Sequence, residues 1–161
     1  MSVRIGHGWD AHRLVAGRRC VLGGVELPSP DGPEGHSDGD VVLHALADAL
    51  LGAAAAGDLG SVFGTDDPAL AGASSSRLVE AVRERTGRPR ILNVDVTVVA
   101  ARPRLAPHRE AMRARIAALL DLPLDRVSVK ASSGNGLTDF GRGDGVAATV
   151  VVLVAEAGEG A

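Results

Sequence analysis

The sequence predicts an α+β fold, a mixed β-sheet backed by helices on one face. Two observations carry this. Short β-branched runs recur at both ends and in the middle of the chain, and amphipathic helical patterns separate them in the order ββ-α-α-β-α-ββ. The 161 residues suit one domain, 1–161, with a core from about residue 3 to 154 and a frayed tail from Ala155. No repeat, linker or low-complexity tract divides them.

Val3 to Trp9 reads as a strand, apolar and glycine-spaced. Arg19–Leu22 and Val25–Leu27 flank Gly23-Gly24 as an early hairpin. Pro28 to Gly35 is expected to be a loop. Asp38 or Asp40 then caps a helix expected to run to about Ala56, before Gly57 stops it, and His44 and Asp48 share one of its faces. Asp58 to Gly72, rich in Gly, Asp and Pro, has the composition of a long loop. Ser74 to Arg85 resumes a helical pattern, and Asn93 to Ala100 is strongly β-branched. Ala106 to Leu120 is a helix with Pro107 in its first turn. Val127 to Ser132 and Val146 to Val154 are the last strands, joined by a Gly-rich loop.

The composition excludes several classes. A net charge of −3 argues against nonspecific nucleic-acid or anionic-membrane binding. No apolar run is long enough to span a bilayer, and the N-terminus lacks a signal-peptide pattern, so a cytoplasmic location is expected. Cys20 is the only cysteine, which rules out an intrachain disulfide and thiolate-rich zinc cages, and a buried, unreactive thiol is expected. The three aromatics, Trp9, Phe63 and Phe140, imply a core of small side chains that oligomerisation would help.

In Gly6-His-Gly-Trp-Asp-Ala-His12, strand periodicity puts Asp10 and His12 on one side of the pleat and His7 and Trp9 on the other. A carboxylate and two imidazoles suit zinc or a similar borderline ion, and three protein ligands leave a fourth position open. His44, just after the polar segment His36-Ser-Asp-Gly-Asp40, is the third candidate ligand. Capping accounts for at least one of Asp38 and Asp40, while His36 and Ser37 beside free helix N–H groups form an anion-binding corner. Arg102 and Arg104 follow a strand end and are read alone as a solvated turn. Lys130-Ala-Ser-Ser-Gly-Asn-Gly-Leu137 is another strand exit, with hydroxyls and amides able to cradle phosphate. It is not a Walker loop, and Gly141-Arg-Gly-Asp-Gly145 is not a dinucleotide fingerprint. Gly141, Gly143 and Gly145 permit a bulge or close strand contact. His108 and Asp95 are read as structural.

Together, Gly6–His12, His36–Gly52, Gly57-Asp-Leu-Gly60, Phe63-x-x-Asp-Asp-Pro68, Asn93–Ala100, Pro103–His108 and Gly141–Gly145 resemble the 2-C-methyl-D-erythritol 2,4-cyclodiphosphate synthase family of the non-mevalonate isoprenoid pathway. The resemblance runs from about Val3 to Val154. It implies a phosphorus-oxygen lyase that converts 4-diphosphocytidyl-2-C-methyl-D-erythritol 2-phosphate to the cyclic diphosphate and CMP, assembled as a homotrimer with active sites between subunits. By similarity Asp10, His12 and His44 hold zinc, and Asp10 and His12 also contact substrate. His36 and Ser37 hold the phosphorylated erythritol, and His36 and Ser133 stabilise the transition state. Asp58, Gly60, Phe63 and Asp67 match the segment covering the erythritol end. Ala100, Pro103, Arg104, Leu105 and Ala106, with Ser132 and Ser133, match the cytidine and diphosphate pocket. Arg142 and Trp9 match positions near the trimer axis, where an isoprenoid diphosphate is implied as a further ligand.

One departure concerns the second ion, magnesium or manganese. Asn135 stands where relatives carry an acidic residue, so this ion is expected to depend largely on substrate phosphates and water. Phe140 lies one residue later than the usual aromatic, and Asp139 takes that place. Two other readings stand beside the lyase: a noncatalytic homologue binding cytidine nucleotide or isoprenoid diphosphate, and a metal-dependent phosphohydrolase giving a linear product.

Overall fold

A computed structural model describes residues 2–64 and 74–155. Seven strands are present: β1 (Val3–Ala16), β2 (Cys20–Leu22), β3 (Val25–Leu27), β4 (Asp31–Pro33), β5 (Arg90–Val99), β6 (Val127–Ser132) and β7 (Gly145–Ala155). Five helices accompany them: α1 (Val41–Ala53), α2 (Leu59–Phe63), α3 (Ser75–Arg85), α4 (Arg109–Leu120) and α5 (Thr138–Arg142). The main sheet has the order β4-β1-β7-β5-β6, and β2 and β3 form a separate hairpin. Its pairs are antiparallel except β5 with β6, which run parallel across the α4 crossover. The sheet is therefore mixed, as expected.

β-branched residues alternate on the sheet face that meets the helices. Val94, Val96 and Val98 of β5 are in register with Val152, Val150 and Ala148 of β7, and all are buried. Helix α1 covers this face and is buried on almost every side; its residues that are not buried, His44, Asp48 and Gly52, stand four apart as one open stripe. Close contact with β1 is permitted by two glycines. A Cβ at Gly6 would lie 1.7 Å from the Ala49 carbonyl oxygen, and one at Gly8 would lie 1.9 Å from that of Ala45.

Several expectations change in detail. β1 extends through Ala16 because its long pairing with β7 continues to Arg13 and β4 pairs with its end. Part of the expected Pro28–Gly35 loop is thus strand β4. Helix α1 ends at Ala53, not near Ala56, because Ala55 turns left-handed (φ 54°) and its N–H returns to the Gly52 carbonyl. The first part of the expected Asp58–Gly72 loop is helix α2, nucleated by a reciprocal cap between Asp58 and Ser61. Pro107 lies in a 3₁₀ turn leading into α4, and the Gly-rich loop before β7 contains α5. The hairpin is as read: Leu22 pairs with Val25, and Gly23 and Gly24 both take positive φ, as a two-residue primed turn requires. No helix among the described residues is long and apolar enough to cross a membrane.

Candidate metal centre and active site

Asp10, His12 and His44 converge. Asp10 and His12 project from the same face of β1, the face that carries Gly6 and Gly8, and His44 meets them from the open stripe of α1. Asp10 Oδ2 lies 3.0 Å from His44 Nδ1 and 3.1 Å from His12 Nε2, and the two ring nitrogens are 3.4 Å apart. A tetrahedral ion with bonds of about 2.0–2.1 Å separates its ligand atoms by about 3.3 Å, so the three atoms have the spacing of one tetrahedral face. Each residue is partly exposed, leaving a side from which a fourth ligand can approach. The borderline donor set and the spacing both fit a divalent ion.

The electrostatics agree. Burial pushes the Asp10 carboxyl up, but His12 and His44 outweigh it and hold the group well below the usual carboxylate range. Burial likewise disfavours charge on His44, yet Asp10 wins and the imidazole is raised above its ordinary value. The other ring nitrogen of His44 is also engaged: Nε2 lies 2.9 Å from Ser75 Oγ and 3.1 Å from Ser37 Oγ.

These residues line a cavity of about 330 Å³, together with Gly35, His36, Ser37, Asp48, Leu59, Gly60, Phe63 and Leu78. His36 and Ser37 therefore lie beside the metal set, but the α1 N–H groups expected to be free next to them are taken by Asp40, which accepts from Val42 and Leu43. Gly60 and Phe63 reach the same cavity because Asp48, one turn after His44, accepts the Leu59 N–H at 2.8 Å and seats α2 there. Asp58 is exposed and uses its carboxylate to cap α2; it is not among the residues lining the cavity. Asp67 lies outside the described residues.

The second group gathers elsewhere, at the ends of β5 and β6. The Ala100 N–H donates to the Ser132 carbonyl at 3.0 Å, and the Ala101 N–H to the Phe140 carbonyl at 3.1 Å. Ser132, Ser133, Asn135, Arg104 and Ala106 are exposed here, whereas the side chains of Ala100 and Leu105 are buried, leaving backbone as their contribution. The Arg102–Pro103 peptide is cis, and Arg102 pairs with Asp31 at 3.2 Å. Ser133 Oγ accepts the Asn135 N–H, and Asn135 adopts φ 51°. Asp139 is paired with Arg142. None of this second group lines the first cavity.

The local sequence does not reveal every partner. Asp40, fully buried, is the cap of α1 and also accepts the Gly23 and Gly24 N–H groups. Asp38 turns instead to α3, accepting both the backbone N–H and the hydroxyl of Ser75. Ser75 is 31 residues from His44 and carries no local signal, while Asp48 was signalled by its spacing from His44. Cys20 is buried, and burial, with Asp40 and Asp31 nearby, pushes its thiol up to about 11, which makes it inert. Asp95 pairs with Lys130 across β5 and β6.

Comparison with known proteins places this geometry. The YgbB family model matches residues 3–155. A Burkholderia mallei protein named 2-C-methyl-D-erythritol 2,4-cyclodiphosphate synthase is 51% identical over 156 residues, covering 96% of each chain. A solved 2C-methyl-D-erythritol-2,4-cyclodiphosphate synthase in a CDP-bound form is 40% identical, with a TM-score of 0.82 over 94% of this chain and 100% of that one. A bifunctional protein from Campylobacter jejuni is 34% identical with a TM-score of 0.89; the match covers 95% of this chain and 42% of that one.

Proposed function

The chain belongs to the YgbB family, and on that premise we propose that it is a 2-C-methyl-D-erythritol 2,4-cyclodiphosphate synthase, acting as one catalytic domain in the cytoplasm. The observation that carries this reading is the triangle of Asp10, His12 and His44 beside the His36–Ser37 corner in one cavity. In the reaction an oxygen of the substrate's 2-phosphate attacks its own β-phosphorus. The bond from that phosphorus to the oxygen bridging the α-phosphate breaks, and CMP leaves with that oxygen.

No protein nucleophile is needed, so the chain's task is to fold the substrate for attack and to neutralise charge around phosphorus. Asp10, His12 and His44 would hold a zinc ion, which would supply Lewis acidity toward a phosphoryl oxygen when bound. His36 and Ser37 present donors to the phosphorylated erythritol. Gly60 and Phe63 on α2 wall the cavity and exclude water that would divert the reaction to a linear product. Ser132, Ser133, Arg104 and the backbone of residues 100–106 bind the cytidine and diphosphate end. Arg142 and Trp9 would face an isoprenoid diphosphate on the axis of the proposed trimer. Asn135 offers one uncharged oxygen, so a second magnesium or manganese ion would depend mainly on substrate phosphates and water.

A homotrimer is supported by two features. The second group does not line the metal cavity, as expected if a neighbouring subunit supplies it, and the sheet face opposite α1 exposes Ile5 (69%) and Trp9 (55%). The test is incubation of purified protein with the cytidylyl substrate, zinc and magnesium, followed by phosphorus NMR. Stoichiometric CMP and cyclic diphosphate are expected. A linear product would favour the hydrolase, and tight nucleotide binding without turnover a noncatalytic homologue.

A further inference from the structure

Building on the metal reading above, we propose that Ser75 and Asp38 are positioning residues that brace His44 with its Nδ1 lone pair turned toward the ion. Neither belongs to the metal triangle. The inference follows from proton direction along one chain of hydrogen bonds. Asp38 accepts the Ser75 backbone N–H with Oδ2 at 2.9 Å and faces the Ser75 hydroxyl with Oδ1. Asp38 also accepts the Asp40 N–H, at 3.1 Å. An ionised carboxylate only accepts hydrogen bonds, so the single hydroxyl proton of Ser75 is committed to Asp38. Ser75 Oγ then presents lone pairs to His44 Nε2, 2.9 Å away, and Nε2 must carry the ring proton. The opposite nitrogen, Nδ1, is left as the donor atom facing Asp10 and His12.

Ser37 Oγ, at 3.1 Å from the same nitrogen, imposes no such direction. It accepts a long bond from the Gly39 N–H, at 3.3 Å, and no carboxylate fixes its hydroxyl proton among the described residues, so it can turn to accept from Nε2 as Ser75 does. Ser75 is fully buried and opens α3, so its hydroxyl is fixed by the helix backbone as well as by Asp38. The brace thus ties the start of α3 to a ligand on α1 across 31 residues of sequence.

The test is zinc affinity measured by chelator competition, with the visible spectrum of cobalt-substituted protein as a second readout of ligand geometry. Ser75→Ala and Asp38→Asn should each weaken zinc binding about 10- to 100-fold. Ser75→Thr, which restores the hydroxyl, should return affinity to within about threefold of the parent. A merely structural role would lower the melting temperature of metal-free protein and leave the affinity and cobalt spectrum unchanged. Folded Ser75→Ala with parental zinc affinity, or a loss seen in Ser37→Ala instead, overturns the brace alone. Should Ser75→Ala fail to fold, Asp38→Asn decides by the same criterion. A parent protein that binds neither zinc nor cobalt overturns the metal reading and the brace with it.

Discussion

At the scale of single residues, the metal triangle is also an ion pair when no ion is bound. Asp10 has a lowered pKa and His44 a raised one. The Asp10 contribution is present above its ordinary value of 3.8 and is lost as pH falls through the depressed folded value. The His44 contribution is present below 6.5 and is lost as pH rises through the raised folded value. Asp10→Asn should therefore destabilise the metal-free protein most between pH 3.8 and 6.5, a difference that urea titrations across pH will resolve. A divalent ion at the proposed site would compete with the proton on His44, so metal affinity is expected to rise with pH through the same imidazole titration. Asn135 makes a separate prediction. Asn135→Glu restores a charge beside Ser133 and should sharpen magnesium or manganese dependence, lowering half-activating metal by about tenfold; unchanged activation curves would remove Asn135 from the second-ion position.

At the scale of elements, two joints set the site. Asp40 binds the hairpin turn to the start of α1, accepting the N–H groups of Gly23, Gly24, Val42 and Leu43. Burial, with Asp38 nearby, raises its carboxyl to about 6 even against the Gly24, Gly23 and Leu43 donors. Asp40→Ala strips the cap and leaves buried donors unpaired, an expected loss of about 3–5 kcal/mol in denaturant unfolding. The second joint is the contact of Gly6 and Gly8 with α1. Gly8→Ala places a methyl in the Ala45 carbonyl, and the helix must move away from β1. We expect destabilisation of about 3 kcal/mol or more, together with weakened zinc binding, because Asp10 and His12 extend from that same strand face. Normal stability and normal metal affinity in this variant would show that the glycine spacing does not set the triangle.

At the scale of the whole molecule, the sheet presents one covered face and one bare one. Ile5 and Trp9 on the bare face are flanked by Val3 and Val151, an apolar patch unsuited to solvent. If the proposed trimer forms through this face, Ile5→Glu with Trp9→Glu should give monomers in sedimentation velocity and abolish turnover, since residues 100–106 would no longer reach a neighbour's metal cavity. Retained metal affinity in those monomers is expected, because all three ligands come from one chain. A parent protein that sediments as a monomer while turning over would contradict this assembly.

Local pattern determined much of this protein. The β-branched runs, the Gly23-Gly24 turn, the capped helix and the D-x-H spacing on one strand face are consequences of period and backbone geometry acting over a few residues. Elements whose existence depends on a distant partner were not legible in that way: β4 and the last residues of β1 form as one mutual pairing, and α2 is seated by Asp48. The same division runs through the site. Asp10 and His12 announce themselves by alternation, but their meeting with His44 depends on how closely α1 approaches β1. Only tertiary packing decided which acid caps α1 and which braces α3, since Asp38 and Asp40 are equivalent at the level of sequence and the donors that tell them apart, Gly23 and Gly24 for Asp40 and Ser75 for Asp38, come from chain segments far away. Hydrogen-bond direction at His44 is likewise a property of the folded molecule, because it begins at Asp38, passes through Ser75 and has no trace in local spacing.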